Sequence, residues 1–394
     1  LTTSPKNLRR KRQFIRFEHN LQMTEWGLND LRVAVVHDRL CNRGGGEKVA
    51  ITIAEALHAE IYTANYEPEK TYSINVSVHK TNPMPDLDWD KYYVIVRMLD
   101  AWSFARLAEL QDYDMIWMSG MWAPFAARNN PKNVLYCHSP NRPIYDLADS
   151  LRKRYGLRWR PIFDVWRWFW ERMDKWAVGH VKRIVCNSKN VRERIRKYWN
   201  RDAEVVYPPV DTSKFYYDDA KDYWLSVNRM MPEKRIDLQL DVFERLPDER
   251  LVIVGSAEYG TAYQREMEKR IEKMDNVEWL GRVSDEKLYE LYAHCKGTIQ
   301  TAVDEDFGYV PPESMAAGKP CLAVNEGGFR ESIEHGRTGL LIDEPYVENF
   351  VKAIKEFDPS HFDPNYLRAY AQKFSKENFV RRVREITKEV LGKV

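Results

Sequence analysis

Cysteine is scarce in this chain. Five residues (Cys41, Cys137, Cys186, Cys295 and Cys321) stand among 394, and no two of them form a C-x-x-C pair. That odd, scattered set argues against a disulfide framework and a thiolate zinc site, and it suits a reducing compartment. Charge imbalance is missing too. Lys and Arg number 61 against 59 Asp and Glu, a formal net charge of +2, so the chain as a whole is no polyanion binder. No run approaches the roughly 18 apolar residues that a membrane span needs. The basic N-terminus (Lys6, Arg9, Arg10, Lys11, Arg12) is followed by no apolar stretch, so it does not read as a secretory signal. Together these absences lead to the expectation of a cytoplasmic protein. What is present, 44% hydrophobic and 30% charged residues, suffices for real cores and a soluble surface over a length of about two domains.

Residues 1–30 carry no clear period and begin on Leu, with Met23 eight residues before the first convincing strand. The expectation is a start at Met23 and a poorly ordered upstream arm; the rival is a basic tail that touches anionic lipid. From Leu31 the pattern is clear: a strand Leu31–His37, a loop with Gly44, Gly45 and Gly46, and an amphipathic helix. Strand, Gly-rich loop and helix is the layout of a phosphate-binding turn, yet the spacing fits neither G-x-G-x-x-G nor the P-loop. Further short strands (AEIYTA, NVSVHK, DMIWMSG, NVLYCHS, RIVCNS, AEVVYPPV) alternate with helical stretches, which predicts an α/β architecture with a parallel doubly wound sheet. Tyr207-Pro208-Pro209-Val210-Asp211 closes this half, and an acidic, Tyr-rich stretch follows as a linker. The alternation then resumes through YWLSVNRM, ERLVIVGSA, GTIQTAV, KPCLAV and TGLLI.

Residues 151–180 have the oddest composition. On a helical wheel Ile162, Trp166, Phe169, Met173 and Trp176 share one face, expected to pack inward; Arg167, Glu171, Asp174 and Lys175 take the other, with Trp168 stranded among them. A basic run (Arg152, Lys153, Arg154, Arg158, Arg160) precedes this helix. Basic residues beside Trp and Tyr suit an anionic membrane surface or a lipid-pyrophosphate acceptor, here over Arg152–Trp176. No recognisable nucleic-acid module accompanies the segment, so nucleic acid is not expected as a partner.

The chain is organised around Thr301–Gly328, where an apolar strand breaks into an acidic loop and restarts as a helix near Pro311. Such a junction presents backbone N–H groups at the carboxyl edge of a sheet, where anionic ligands bind. Glu305 and Glu313 stand eight apart. The phrase E-D-F-G-Y-V-x-x-E-S-M-A-A-G-K-P resembles the E-x7-E signature of the retaining GT-B glycosyltransferases of family 4, also called glycosyl transferases group 1. Other segments carry the same resemblance: G-G-x-E-K at Gly44, C-H-S-P-N-R-P-I-Y-D around His138, N-S-K-N-V-R-E-R-I, Y-P-P-V-D, and S-V-N-R-M-M-P-E-K-R-I-D, where Asn228 replaces the usual glycine. So do the cadence from Gly281 and the G-G-x-x-E turn at Gly327.

The resemblance, covering about residues 31–391, implies two Rossmann-like domains facing each other across a cleft. The expected boundaries are an N-terminal extension over 1–30, an acceptor-side domain over 31–210, a linker over 211–222, a nucleotide-sugar-binding domain over 223–375, and a closing helix over 376–394. It implies transfer of a hexose, with mannose from GDP-mannose favoured, to a glycan or lipid-linked acceptor with retained configuration. Arg229 and Lys234 would hold the leaving diphosphate, and Glu305 the sugar hydroxyls, helped by the backbone of Asp306, Phe307, Gly308 and Tyr309. Glu313 would bind the ribose, and His138 would orient the sugar with Arg142 nearby. Gly44, Gly45, Gly46 and Gly255 would face phosphate, with Arg282 and Val283 near the nucleobase. No D-x-D pair stands at a plausible site, so no metal and no cofactor are expected.

Taken alone, each residue has a plainer reading: a structural histidine, a flexible turn, solvated cations. Two rivals stand for the whole: a non-catalytic nucleotide-sugar or lipid binder on the same fold, and a sugar-nucleotide epimerase or phosphorylase relative. Neither a pyridoxal lysine nor an epimerase acid pair is visible.

Overall fold

The computed structural model describes residues 31–82, 89–154, 156–257 and 261–393. The expectations for residues 1–30 and for Met23 lie outside them. Contacts divide the chain into two units, one of residues up to Val185 with Ile195–Glu204 and the segment from Val380, the other of Cys186–Arg194 with Val205–Phe379.

The first unit carries β1 (Val33–Leu40), α1 (Gly45–Leu57), β2 (Glu60–Tyr66), β3 (Val78–Lys80), α2 (Trp89–Ala105), β4 (Met115–Ser119), β5 (Asn133–Cys137), α3 (Ala148–Arg154), α4 (Arg160–Gly179) and β6 (Arg183–Cys186). Next come α5 (Lys189–Trp199) and β7 (Glu204–Val205), and the sheet runs β3-β2-β1-β4-β5-β6-β7. β1 pairs with β2 and β4 in parallel, and β4 with β5 likewise. Buried on both faces, β1 opens on the apolar run Val33–Val36. It extends three residues past the expected end at His37. The polar pair that looks like a loop is held inside the strand, because His37 Nδ1 donates to Ser119 O at 2.6 Å and Asp38 accepts the N–H groups of Met121, Trp122 and Ala123 at 2.7–2.9 Å. The expected strand over 203–210 shrinks to Glu204–Val205. Pro208 and Pro209 have no N–H to give a ladder.

α4 corrects the wheel. Phe163, Trp170, Asp174, Ala177 and Val178 are buried, whereas Ile162, Phe169 and Trp176, expected inward, are exposed. Apolar residues cover two faces of this helix, and periodicity alone cannot choose between them. Trp170 decides the matter by packing edge-on to Trp122, ring centroids 4.7 Å apart.

The second unit holds β8 (Trp224–Val227), α6 (Ile236–Glu244), β9 (Leu251–Val254), α7 (Ala262–Ile271), β10 (Val277–Trp279), α8 (Asp285–His294), β11 (Thr298–Gln300), α9 (Val310–Ala316) and β12 (Cys321–Val324). It continues through α10 (Phe329–Ser332), β13 (Gly339–Ile342), α11 (Val347–Lys355) and α12 (Pro364–Ala371), with the sheet ordered β10-β9-β8-β11-β12-β13. Its pairs are parallel as well. The stretch 211–222 packs within this unit, Phe215 standing edge-on to Tyr289 and Tyr292 at 5.0 and 5.4 Å. The last helix, α13 (Lys376–Leu391), buries Phe379, Val383 and Ile386 as the sequence pattern predicts. In the first unit Trp117 Nε1 donates to Thr387 Oγ1 at 3.1 Å, and Arg384 Nε donates to Ala56 O at 3.2 Å. The expected α/β class with two parallel-sheet Rossmann-like domains is what the chain forms.

In each sheet the strand order reverses once, between β1 and β4 in the first unit and between β8 and β11 in the second. The carboxyl ends of such a pair open a crevice for ligands. Both crevices are lined by loops that the sequence singles out.

Candidate functional site

In the second unit the β8–α6 turn carries Arg229 and Lys234, the β11–α9 loop carries Glu305, and Glu313 follows inside α9. Asn228, which replaces the family's glycine, is accommodated: its Nδ2 donates to Ser226 Oγ at 3.0 Å, and its N–H donates to Val254 O at 2.8 Å. Gly255 is the residue that must stay small there. Its φ is +151°, and a Cβ on it would stand 1.9 Å from Asn228 O. Gly255 N–H also bonds Gly281 O at 2.9 Å, which ties down the turn bearing Arg282 and Val283.

Lys234 Nζ is in direct contact with Glu305 Oε2, so the structure brings two of the predicted residues together as an ion pair, largely buried on both sides. The Lys234 backbone is fixed from behind, since its carbonyl accepts Thr301 Oγ1 at 2.7 Å, which in turn accepts Gln239 Nε2 at 2.8 Å. Arg235 takes a left-handed backbone, φ +49°, and pairs with Glu326 at 2.9 Å.

The acidic loop is over-determined. Arg194, a buried guanidinium, donates to Asp304 O and Asp304 Oδ2 at 2.8 Å each and pairs with Asp306. Although burial opposes the charge, the two carboxylates raise the Arg194 pKa. Asn190 Nδ2 donates to Asp304 Oδ1 and Glu305 O, each at 3.1 Å, and Ser188 Oγ donates to Asp306 O. Asp304 itself has φ +43°, a strained position for a residue with a Cβ, and the ring of partners holds it there. Gly308 (φ +80°) presses against Phe329, whose ring would lie 2.5 Å from an added Cβ. Phe307 is a core wedge between Tyr207 and Phe374, with centroids 5.7 Å from each, so its side chain is not available to a ligand. Glu313, in the first turn of α9, accepts Tyr292 Oη on one oxygen at 2.7 Å. Sequence reasoning missed Arg194, Asn190, Asp304 and Tyr292. The N-S-K-N-V-R-E-R-I match holds Asn190 and Arg194, the cadence from Gly281 ends on Tyr292, and Asp304 stands beside Glu305 in the acidic loop, but none of these signals gave a role.

In the first unit His138 follows β5 and is half-buried. Ser119 Oγ, at the end of β4, lies 2.9 Å from His138 Nε2. A Cβ on Gly46 would meet His138 Nε2 at 3.6 Å and His37 Cε1 at 3.8 Å, so the Gly-rich turn and the histidine are neighbours. Gly44 caps α1 with φ −103°, an ordinary backbone, and Gly45 and Gly46 open the helix. Arg142 pairs with Asp146 at 2.9 Å. Burial first, and the charge of His37 second, push the His138 pKa down to about 3. The ring is therefore expected to be neutral at physiological pH, able to hydrogen-bond but not to act as a cation. The Cε1 proton of His138 is expected to show no titration between about pH 5 and pH 8 by NMR, where an unperturbed histidine titrates near 6.5. A midpoint near neutrality would contradict this environment.

Among the described residues no group of three His, Cys, Asp or Glu side chains is arranged to hold a metal ion, and no helix is long and apolar enough to cross a membrane.

Residues 213–374 match the family described as glycosyl transferases group 1, and residues 43–214 match glycosyltransferase family 4. The alpha-1,3/1,6-mannosyltransferase ALG2 of Dictyostelium discoideum is 24% identical over 92% of this chain and 99% of its own length. The protein of that name from Homo sapiens is 27% identical over 88% and 93%. Among solved structures, sucrose-phosphate synthase from Thermosynechococcus elongatus superposes with a TM-score of 0.72 at 16% identity, over 92% of this chain and 100% of that one. Anabaena Alr3699/HepE in complex with UDP-glucose gives 0.69 at 18%, over 90% and 98%.

Proposed function

The chain belongs to the group 1 glycosyltransferases of family 4, and from that premise we propose that it transfers mannose from GDP-mannose, with retained configuration, to a glycan or lipid-linked acceptor at an anionic membrane surface. The observation that carries the reading is the pairing, at the switch point of the second sheet, of a cationic turn (Arg229, Lys234) with an acidic turn (Glu305, Glu313). The mannosyltransferase activity of the two ALG2 relatives supports mannose as the sugar.

Departure of the nucleoside diphosphate leaves oxocarbenium-like charge on the sugar and negative charge on the leaving oxygen. Arg229 and Lys234 stabilise that oxygen, Arg through a planar fork and Lys as a point charge. Glu305, released from Lys234 as the diphosphate takes the lysine, holds sugar hydroxyls. Glu313 keeps one oxygen for Tyr292 and offers the other to the ribose. Neutral His138 orients the sugar through hydrogen bonds. The acceptor hydroxyl attacks the anomeric carbon on the face the diphosphate leaves, and its proton passes to the departing oxygen. No covalent nucleophile is assigned. Fixed cations do the work of a metal in this scheme, so transfer is expected to survive chelator.

Calorimetry with free GDP tests the two glutamates. Glu313→Ala should weaken GDP and GDP-mannose alike, because the ribose is common to both. Glu305→Ala should leave GDP affinity intact and lower transfer, because only the sugar loses a partner. The reverse pattern would overturn the assignment. A thermal-shift panel tests the donor, since a ligand at about 100 times its Kd adds about 2.7 kcal/mol to the folded state. GDP-mannose is expected to raise the melting point by several degrees, and a larger shift with UDP-glucose, the ligand of the Anabaena structure, would favour glucosyl transfer instead.

A further inference from the structure

Of the large apolar side chains exposed among the described residues, Leu157, Trp159, Ile162, Val165, Trp168, Phe169 and Trp176 fall on α4 and the turn before it. At 100° per residue Ile162, Val165, Trp168, Phe169 and Trp176 form one stripe. It is a different stripe from the buried one of Phe163, Trp170 and Ala177, and it runs much of the 20-residue, roughly 30 Å helix. Ile162, Val165 and Trp168 remain 60%, 66% and 57% exposed, far more than residues of a packed helix face. The polar flank is occupied with itself. Arg152 grips Asp164 through two bonds of 2.7 and 2.8 Å, Arg167 reaches Asp149 at 3.1 Å, and Lys175 pairs with Glu171 at 2.6 Å. The acids near the helix are thus met by cations of α3 and α4, while Lys153, Arg158 and Arg172 are exposed, Arg172 falling within the stripe and lying 4.6 Å over the Trp168 ring.

We infer that α4 is an interfacial anchor whose outward apolar stripe inserts among the headgroups of an anionic bilayer, with Lys153, Arg158 and Arg172 at the phosphate level. This deepens the membrane-surface reading above and rests on it. It moves the weight from the basic run, part of which is paired, to the apolar stripe. Indole rings favour the boundary between water and hydrocarbon, and cations at the rim complement anionic lipid. A second copy of the chain fits less well, because the same arginines would then face each other. The helix is also bolted to the loop that follows His138. Arg167 Nε donates to Ile144 O at 2.9 Å, and Asp174 accepts Tyr145 Oη and Trp199 Nε1 at 2.7 Å each. An inserted α4 would hold that loop at the level of a lipid-borne acceptor.

Sedimentation of the full chain with phosphatidylcholine vesicles, with and without phosphatidylglycerol, at low and high salt tests this. Wild type should bind the anionic vesicles and in high salt lose the electrostatic share while keeping measurable binding, because salt screens charges but not apolar burial. Ile162→Ser/Val165→Ser/Trp168→Ser should lower the partition coefficient at least about 100-fold, three inserted side chains being lost. Its melting temperature and its shift with GDP-mannose should stay unchanged, since these side chains already face water. Lys153→Ser/Arg158→Ser should lose less, about 30-fold. Binding lost in the basic variant but kept in the apolar one would overturn insertion and leave the membrane reading standing. No binding by wild type would overturn both. A dimer seen by ultracentrifugation that the apolar variant dissolves, without vesicle binding, would make the stripe an interface between copies and overturn the proposal.

Discussion

Arg229→Ala and Lys234→Ala are each expected to lower mannosyl transfer by about two to three orders of magnitude, the scale seen when one donor to a developing oxyanion is removed. Both cations sit on the β8–α6 turn, but they differ in their surroundings. Arg229 is exposed, whereas Lys234 is mostly buried and held against Glu305. Removing Lys234 therefore does two things. The leaving oxygen loses a point charge, and the Glu305 carboxylate loses its counterion in a poorly hydrated place. Lys234→Ala should accordingly damage the sugar contact as well, and its effect should not add to that of Glu305→Gln. In a double-mutant cycle on kcat, the pair should cost clearly less than the product of the single losses, while Arg229→Ala with Glu305→Gln should be closer to multiplicative. Independent Lys234 and Glu305 effects would mean that the contact plays no part in the working cycle. Turnover near wild type in either alanine variant would remove that cation from the assignment.

That contact also marks where the sequence stops being legible. Local chemistry announced the strands, the turns and the two glutamates, because apolar runs bounded by Gly and Pro follow directly from burial and backbone constraints. Pairings between distant residues are set by the fold and leave no local trace. Lys234 and Glu305 are 71 positions apart, and Arg194 is 110 positions from Asp304. The β1 boundary was misjudged for the same reason: His37 and Asp38 look like loop until Ser119 O and the N–H groups after β4 are known to meet them. α4 shows a further limit. A wheel finds faces but not neighbours, and here the apolar face that packs and the apolar face that does not were exchanged. Buried Asp174 was placed on the polar side, although Tyr145 and Trp199 satisfy it inside and burial pushes its pKa up to about 6.

Arg194 is the residue whose loss should most disturb the second unit's site without touching a substrate. It lies on α5, and its side chain is 8% exposed. Its guanidinium binds Asp304 and Asp306 at once and also bonds the Asp304 carbonyl. Removing one member of a buried ion pair typically costs about 3–5 kcal/mol. Here Asp304 and Asp306 are 44% and 29% exposed, so water relieves part of that, and about 2–3 kcal/mol is the expected destabilisation of Arg194→Ala. The same change frees Asp304 from its left-handed backbone and lets Glu305 drift from Lys234. Arg194→Lys should not rescue it, because a single ammonium cannot span two carboxylates and a carbonyl as a planar fork does. Denaturant unfolding followed with and without GDP would report the loss in the donor-stabilised transition. Kinetics would report a KM for the donor changed little and a kcat lowered about tenfold, the signature of a displaced positioning loop. Full activity in Arg194→Lys would show that charge alone, and not the bridging geometry, holds the acidic loop.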